Sequence, residues 1–109
     1  MRRERRRTER TMVEAFAALE RGERVLALRL ARRAREQGAM NPRILVDHAE
    51  VARACGEDDE AEESLRAAIA QAPTVAAAFA ALAELQAARA KWPQAVRMLA
   101  RAVELDPRD

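Results

Sequence analysis

The stretch AAAFAALAELQAARAKWPQAVRMLARAVELDPRD, Ala76–Asp109, decides the fold. It reads as one helix, a turn at Ala90-Lys91-Trp92-Pro93, and a second helix that stops before Pro107. Moved back by 34 residues it overlays Pro42–Val75, and moved again it overlays Thr8–Asn41. Three units, 8–41, 42–75 and 76–109, and a basic leader, 1–7, use the whole chain. Ala15, Ala49 and Ala83 share one column; Ala27, Ala61 and Ala95 a second; Ala34, Ala68 and Ala102 a third. Nine matches from nine exceed what an alanine frequency of about one in four yields by chance. The columns have a mechanical meaning, because a small side chain on each of two antiparallel helices lets their axes approach. Gly22 and Gly56, with Ala90 in the third unit, sit where a first helix must end, and a left-handed cap favours glycine there. Pro73 and Pro107 sit just past a second helix and block further winding. A 34-residue period of helix, turn, helix and stop predicts an all-α solenoid of three antiparallel helix pairs.

The same residues resemble the tetratricopeptide repeat family over Thr8–Asp109. The third unit carries the likeness best, through Phe79, Leu82, Ala83, Trp92, Leu99 and the ending Ala102-Val-Glu-Leu-Asp-Pro107. The second carries it through Leu45, Ala49, Gly56, Ala61, Leu65, Ala68 and Pro73, and departs from it at His48 and Ala52. The first keeps Ala15, Gly22, Ala27 and Ala34 but has Thr11 and Glu14 at large apolar positions, as a polar terminal unit does. The resemblance implies a right-handed solenoid whose first helices line a concave groove. Carried over position by position, it implies groove residues Glu9, Met12, Phe16, Leu19 and Glu20 in the first unit. In the second they are Arg43, Val46, Asp47, Glu50 and Arg53, and in the third Ala77, Ala80, Ala81, Glu84 and Ala87. It also implies that Trp92 packs between helices. Family members that bind acidic chaperone tails use Lys, Asn and Arg at positions that here are Met12, Phe16, Asp47, Ala77 and Ala81, so that function is not expected.

The chain taken in order adds detail. The arginines of 1–7 read as a solvated helix extension or leader, or as a contact for phosphate or an acidic partner. The first helix pair is expected over about Thr8–Arg21 and Glu23–Gln37, with Met12, Phe16 and Leu19 on one stripe and Val25, Leu28 and Ala31 facing the partner helix. Asn41-Pro42 starts the third helix as N-cap and first helical residue. The acidic run Glu57–Glu60, Glu62 and Glu63 opens the fourth helix, where negative charge favours the dipole. Thr74 is the expected cap of the fifth helix.

Composition excludes several classes. No run of apolar residues is long enough for a membrane span, and the N-terminus has no signal-peptide core. One cysteine forbids an internal disulfide and fits a reducing cytosol. The alanine and arginine bias suggests a GC-rich bacterial source. The net charge of +2 and the absence of aromatics among the arginines argue against nucleic acid. His48 and Cys55 share a helix face but are two ligands with no third, so no metal site is expected. No phosphate loop, no Ser–His–acid set and no cofactor motif is evident, so the chain is not expected to be an enzyme.

The expected function is that of a protein-binding adaptor. Its groove is apolar, with Glu50 and Glu84 one repeat apart, and should accept a peptide or helix that offers an apolar anchor and a basic residue. A second interface is expected at the end. The chain stops at a repeat boundary, so Leu82, Val96, Leu99 and Val103 should form an open apolar edge covered by a second copy or another partner, unless the chain is a piece of a longer one. The alternative is a structural subunit held through that edge and an arginine-rich face, to which the arginines of 1–7 and Arg29, Arg32, Arg33 and Arg35 of the second helix contribute. A nucleic-acid module comes third.

Overall fold

The computed structural model describes residues 2–108. Six helices follow in order: α1 Arg2–Glu20, α2 Arg24–Gln37, α3 Pro42–Ala54, α4 Asp58–Gln71, α5 Ala76–Ala88 and α6 Trp92–Leu105. Consecutive helices pair as α1–α2, α3–α4 and α5–α6; α2 then packs on α3 and α4 on α5, while α1 meets α3 and α3 meets α5. The first helices therefore lie side by side, the arrangement that the 34-residue period predicts.

The alanine columns form the seams. Ala15, Ala27, Ala34 and Ala68 are fully buried, and Ala49, Ala61, Ala83, Ala95 and Ala102 nearly so. Around them one cluster joins Met12, Ala31 and Ile44, and a second joins Ala49, Leu65, Leu82 and Leu85. Leu82, expected at the open edge, lies in that second cluster instead and is fully buried. Val25, expected against the partner helix, is 76% exposed.

Each first helix ends the same way. The amides of Gly22, Gly56 and Ala90 bond back to Leu19, Arg53 and Ala87, and the next amides bond to Ala18, Ala52 and Gln86. This double closure requires a left-handed residue, and φ is +80° at Gly22, +83° at Gly56 and +59° at Ala90. Ala90 thus adopts by force what the two glycines adopt freely.

Asn41 caps α3 through its side-chain oxygen, which accepts from the Arg43 amide at 3.0 Å, with Pro42 first in the helix. Thr74 does not cap α5; Val75 holds that position and makes no side-chain cap bond. Helix α1 starts at Arg2, well ahead of Thr8. The arginines before Thr8 carry no apolar periodicity, but arginine is a good helix former and extends a helix already nucleated by packing.

Candidate functional site

Side by side, α1, α3 and α5 present the groove. Between α1 and α3 it deepens into a depression of about 540 Å³, with Met12, Phe16 and Ile44 among its apolar lining and Glu9, Arg43 and Asp47 among its charged lining. Met12 is only 2% exposed, so it serves as floor and offers little surface. Phe16 and Leu19 are partly buried against the first core cluster, so each has both a packing role and an open face. Val46, Ala80 and Ala87 are also partly buried, while Arg43, Glu50, Arg53, Ala77 and Glu84 are exposed.

The groove charges are partly paired. Arg53 donates to Glu84 at 3.4 Å across the second and third repeats, and Arg43 lies 3.9 Å from Asp47 one turn along α3. Burial raises the Asp47 carboxyl above its ordinary range, with Arg43 opposing and Glu50 adding to the rise. Glu50 has no ion pair among the described residues.

A second polar cluster stands apart from the groove. His48 on α3 is fully buried, with Nδ1 2.5 Å from Ser64 Oγ and Nε2 2.7 Å from Glu60 Oε2, both on α4. From α2, Arg32 holds Glu60 through two bonds of 3.0 and 2.6 Å, and Arg35 donates to Ser64 Oγ at 2.7 Å and to Glu63 at 3.1 Å. Arginine can only donate, so Ser64 accepts from Arg35 and turns its own O–H to Nδ1. Nε2 then carries the proton given to Glu60. Burial lowers the His48 pKa against the opposing pull of Glu60. The hydrogen bond from Arg32 holds Glu60 below its ordinary value.

This is a Ser–His–acid set, which the sequence reading did not find. Its chemistry is nonetheless that of a clamp between repeats. Ser64 is buried with its oxygen already bonded to Arg35, and it does not line the shallow surface depression beside His48. A nucleophile must reach substrate, and this one is enclosed. The signal lay in the columns: His48 aligns with Leu82, and Ser64 with Met98, so a polar pair replaces an apolar one.

The acidic run does more than complement a dipole. Besides Glu60 and Glu63, Asp59 and Glu62 receive Arg89, the residue that caps the end of α5, at 2.8 and 3.4 Å. Cys55 is a free, partly buried thiol packed against the first cluster, and no group of three potential metal ligands occurs among the described residues. Trp92, expected between helices, is instead 60% exposed at the start of α6. It begins a row with Val96, Leu99 and Val103, which are 66%, 54% and 49% exposed. The expected packing requires a further helix on α6, and no described helix lies there.

Comparison with known proteins bears on this architecture. Residues 78–109 match the sequence profile of the tetratricopeptide repeat. No curated protein matches the chain. Among solved structures, the first such domain of Spaghetti (RPAP3), bound to an HSP90 peptide, is 17% identical with a TM-score of 0.84; the match covers 94% of this chain and 81% of that one. The corresponding domain of Sgt2 from Aspergillus fumigatus is 23% identical with a TM-score of 0.84, covering 93% and 67%. MamA is 19% identical with a TM-score of 0.81, and the match covers 93% of this chain but 59% of MamA. The molecule is an all-α solenoid of helix pairs. Its third pair is a tetratricopeptide repeat by sequence, and the whole chain has the tetratricopeptide-repeat fold.

Proposed function

We propose that this chain is a protein-binding adaptor that takes a short helix or extended peptide along α1, α3 and α5. The observation that carries the reading is the depression between α1 and α3, which is large enough for an apolar side chain and rimmed by charge. The ligand places an apolar anchor over Phe16, with Met12 and Ile44 beneath it as floor. Its Lys or Arg meets Glu50, an exposed groove acid of α3 that has no ion pair among the described residues. Ala77, Ala80 and Ala87 leave the third repeat's share of the groove shallow, so a helix backbone can approach closely there. One structural neighbour holds an HSP90 peptide, SRMEEVD. At the positions where the resemblance would place cations for an acidic tail, Met12, Phe16, Asp47, Ala77 and Ala81 offer none, so such a tail is not the expected ligand. The single free cysteine fits action in a reducing cytosol.

Glu50→Lys tests the reading, because Glu50 is exposed and has no ion pair among the described residues. Binding of a captured partner, followed by calorimetry, should weaken at least tenfold with the melting temperature unchanged. Phe16→Ala should weaken it too, at some cost in stability. Unaltered affinity in Glu50→Lys, together with loss in Phe16→Ala only in proportion to unfolding, would sink the groove.

The exposed row on α6 favours a second reading, in which the chain docks through Val96, Leu99 and Val103 to a second copy or a larger assembly. Light scattering after size exclusion measures this. A dimer that Leu99→Asp returns to monomer supports it, and a wild-type monomer removes self-association.

A further inference from the structure

The net charge of +2 hides a segregation along the solenoid. Residues 1–41 hold twelve arginines and six carboxylates, residues 42–75 three arginines and eight carboxylates, and residues 76–109 five cations and four carboxylates. The three repeats therefore carry about +6, −5 and +1. Much of the acidic charge of the second is already committed. Asp59, Glu60, Glu62 and Glu63 each hold an arginine. Arg2, Arg3, Arg6, Arg7 and Arg10 are in the opposite condition: all are exposed, and none makes an ion pair among the described residues.

The helix organises these five. Arg3, Arg7 and Arg10 recur at i, i+4 and i+7, and Arg2 and Arg6 lie beside them, within about 140° of arc at 100° per residue. The opposite side bears Thr8, Thr11, Met12 and Ala15, which are buried. The stripe therefore faces away from the core over a rise of about 12 Å. It is anchored at its base, since a side chain at Gly38 would meet Thr8 Cγ2 at 2.9 Å.

We infer that this stripe of α1 binds the phosphate backbone of a nucleic acid, without reading sequence. A protein partner normally buries an apolar centre inside a polar rim, and Arg2–Arg10 contains no apolar side chain. A lipid surface held by a helix asks for an apolar face that enters the acyl boundary, and here that side of the helix is occupied by its own core. A phosphate backbone asks only for cations at regular spacing, and counterion release supplies the affinity. Guanidinium suits it through paired N–H donors on phosphate oxygens. The lack of stacking aromatics fits a duplex better than a single strand, whose exposed bases use such platforms. This surface is separate from the groove, and the two inferences stand or fall independently.

The test is fluorescence anisotropy of the full chain with random-sequence duplex of about 20 base pairs, over a salt series. Log affinity should fall against log salt with a slope of about −4, from about −0.9 per phosphate for up to five arginines. The triple change Arg3→Glu, Arg7→Glu and Arg10→Glu should cut affinity at least tenfold and flatten the slope by 2 to 3, roughly one per arginine. Circular dichroism of that variant should stay helical, since all three side chains are exposed. Arg24→Glu, Lys91→Glu and Arg97→Glu together change the net charge equally, elsewhere on the surface, and should cost much less. Equal loss in both triples overturns the stripe as the site. No binding at low salt overturns it as well. A poly-glutamate peptide or anionic lipid vesicles bound as tightly as the duplex overturn nucleic acid as the occupant.

Discussion

Leu65 and Leu99 occupy the same column one repeat apart, on α4 and α6, yet Leu65 is 2% exposed and Leu99 54%. The residue type and local helix are alike; what differs is the layer above. Leu65 shares a cluster with Leu82 and Leu85 of α5, while no described helix covers α6. In a solenoid the repeat specifies what a position wants, and the next repeat decides whether it is satisfied. The largest contrast between mutants should follow. Leu65→Ala removes a side chain packed from both repeats and should cost about 2–5 kcal/mol. Leu99→Ala removes mostly wet surface and should fall within about 1 kcal/mol. Urea titration of both variants measures the difference. Similar losses would show that α6 is covered in solution, for instance by a second copy.

How much of this was legible follows from the kind of signal. The alanine columns and the turn positions depend on spacing within one helix or one turn, and a single sequence displays them. The fold was therefore legible throughout Ala15–Ala102. Exposure was legible only in part: Val96, Leu99 and Val103 read as an open edge and are exposed, while Trp92 and Val25 look like core until their cover is sought. Met12 had the reverse fate, a groove position by alignment that packing turned into floor. The His48 cluster draws on α2, α3 and α4, and no local pattern announces a bond between residues 12 to 29 apart. The sequence did display its trace, polar residues where the third repeat has Leu82 and Met98. The paired spacing of Arg32 and Arg35 against Glu60 and Glu63 was equally visible, once α2 and α4 were known to meet.

That cluster sharpens the comparison of the second and third repeats. His48→Ala leaves Ser64 and Glu60 short of a buried partner and should cost about 1–3 kcal/mol. His48→Leu with Ser64→Met copies the apolar pair of the third repeat and should be near neutral, as replacement of buried polar networks often is. The pH dependence separates them further. The folded His48 pKa lies below the ordinary 6.5, so the unfolded chain takes up the proton first as pH falls. Its stability contribution is intact above about pH 6.5 and is lost as pH falls through the folded value. Glu60 adds a second loss below its ordinary 4.5, since its folded pKa is also depressed. Thermal melts between pH 7.5 and about 5 should decline for the wild type and flatten for the double variant. An equal decline in both would assign the acid sensitivity elsewhere.

The smallest effect is the best controlled. Gly56 and Ala90 close their helices with the same pair of backbone bonds, at φ of +83° and +59°. A left-handed alanine costs roughly 1–2 kcal/mol, while glycine gives up about 0.4–1 kcal/mol through the freedom of its unfolded chain. Ala90→Gly should therefore gain about 0.5–1 kcal/mol, the difference of those two terms. Gly56→Ala should lose a similar amount. Beyond its two chain neighbours, no atom lies within 4 Å of a Cβ built at Gly56, so the loss comes from the backbone and not from a clash with the packing. Opposite shifts of comparable size in the two urea midpoints would show that both turns impose one conformation and that the third repeat alone carries the strain. A null result at Ala90, with a loss at Gly56, would mean that the third turn relaxes away from the left-handed region in solution, as a repeat packed on only one side is free to do.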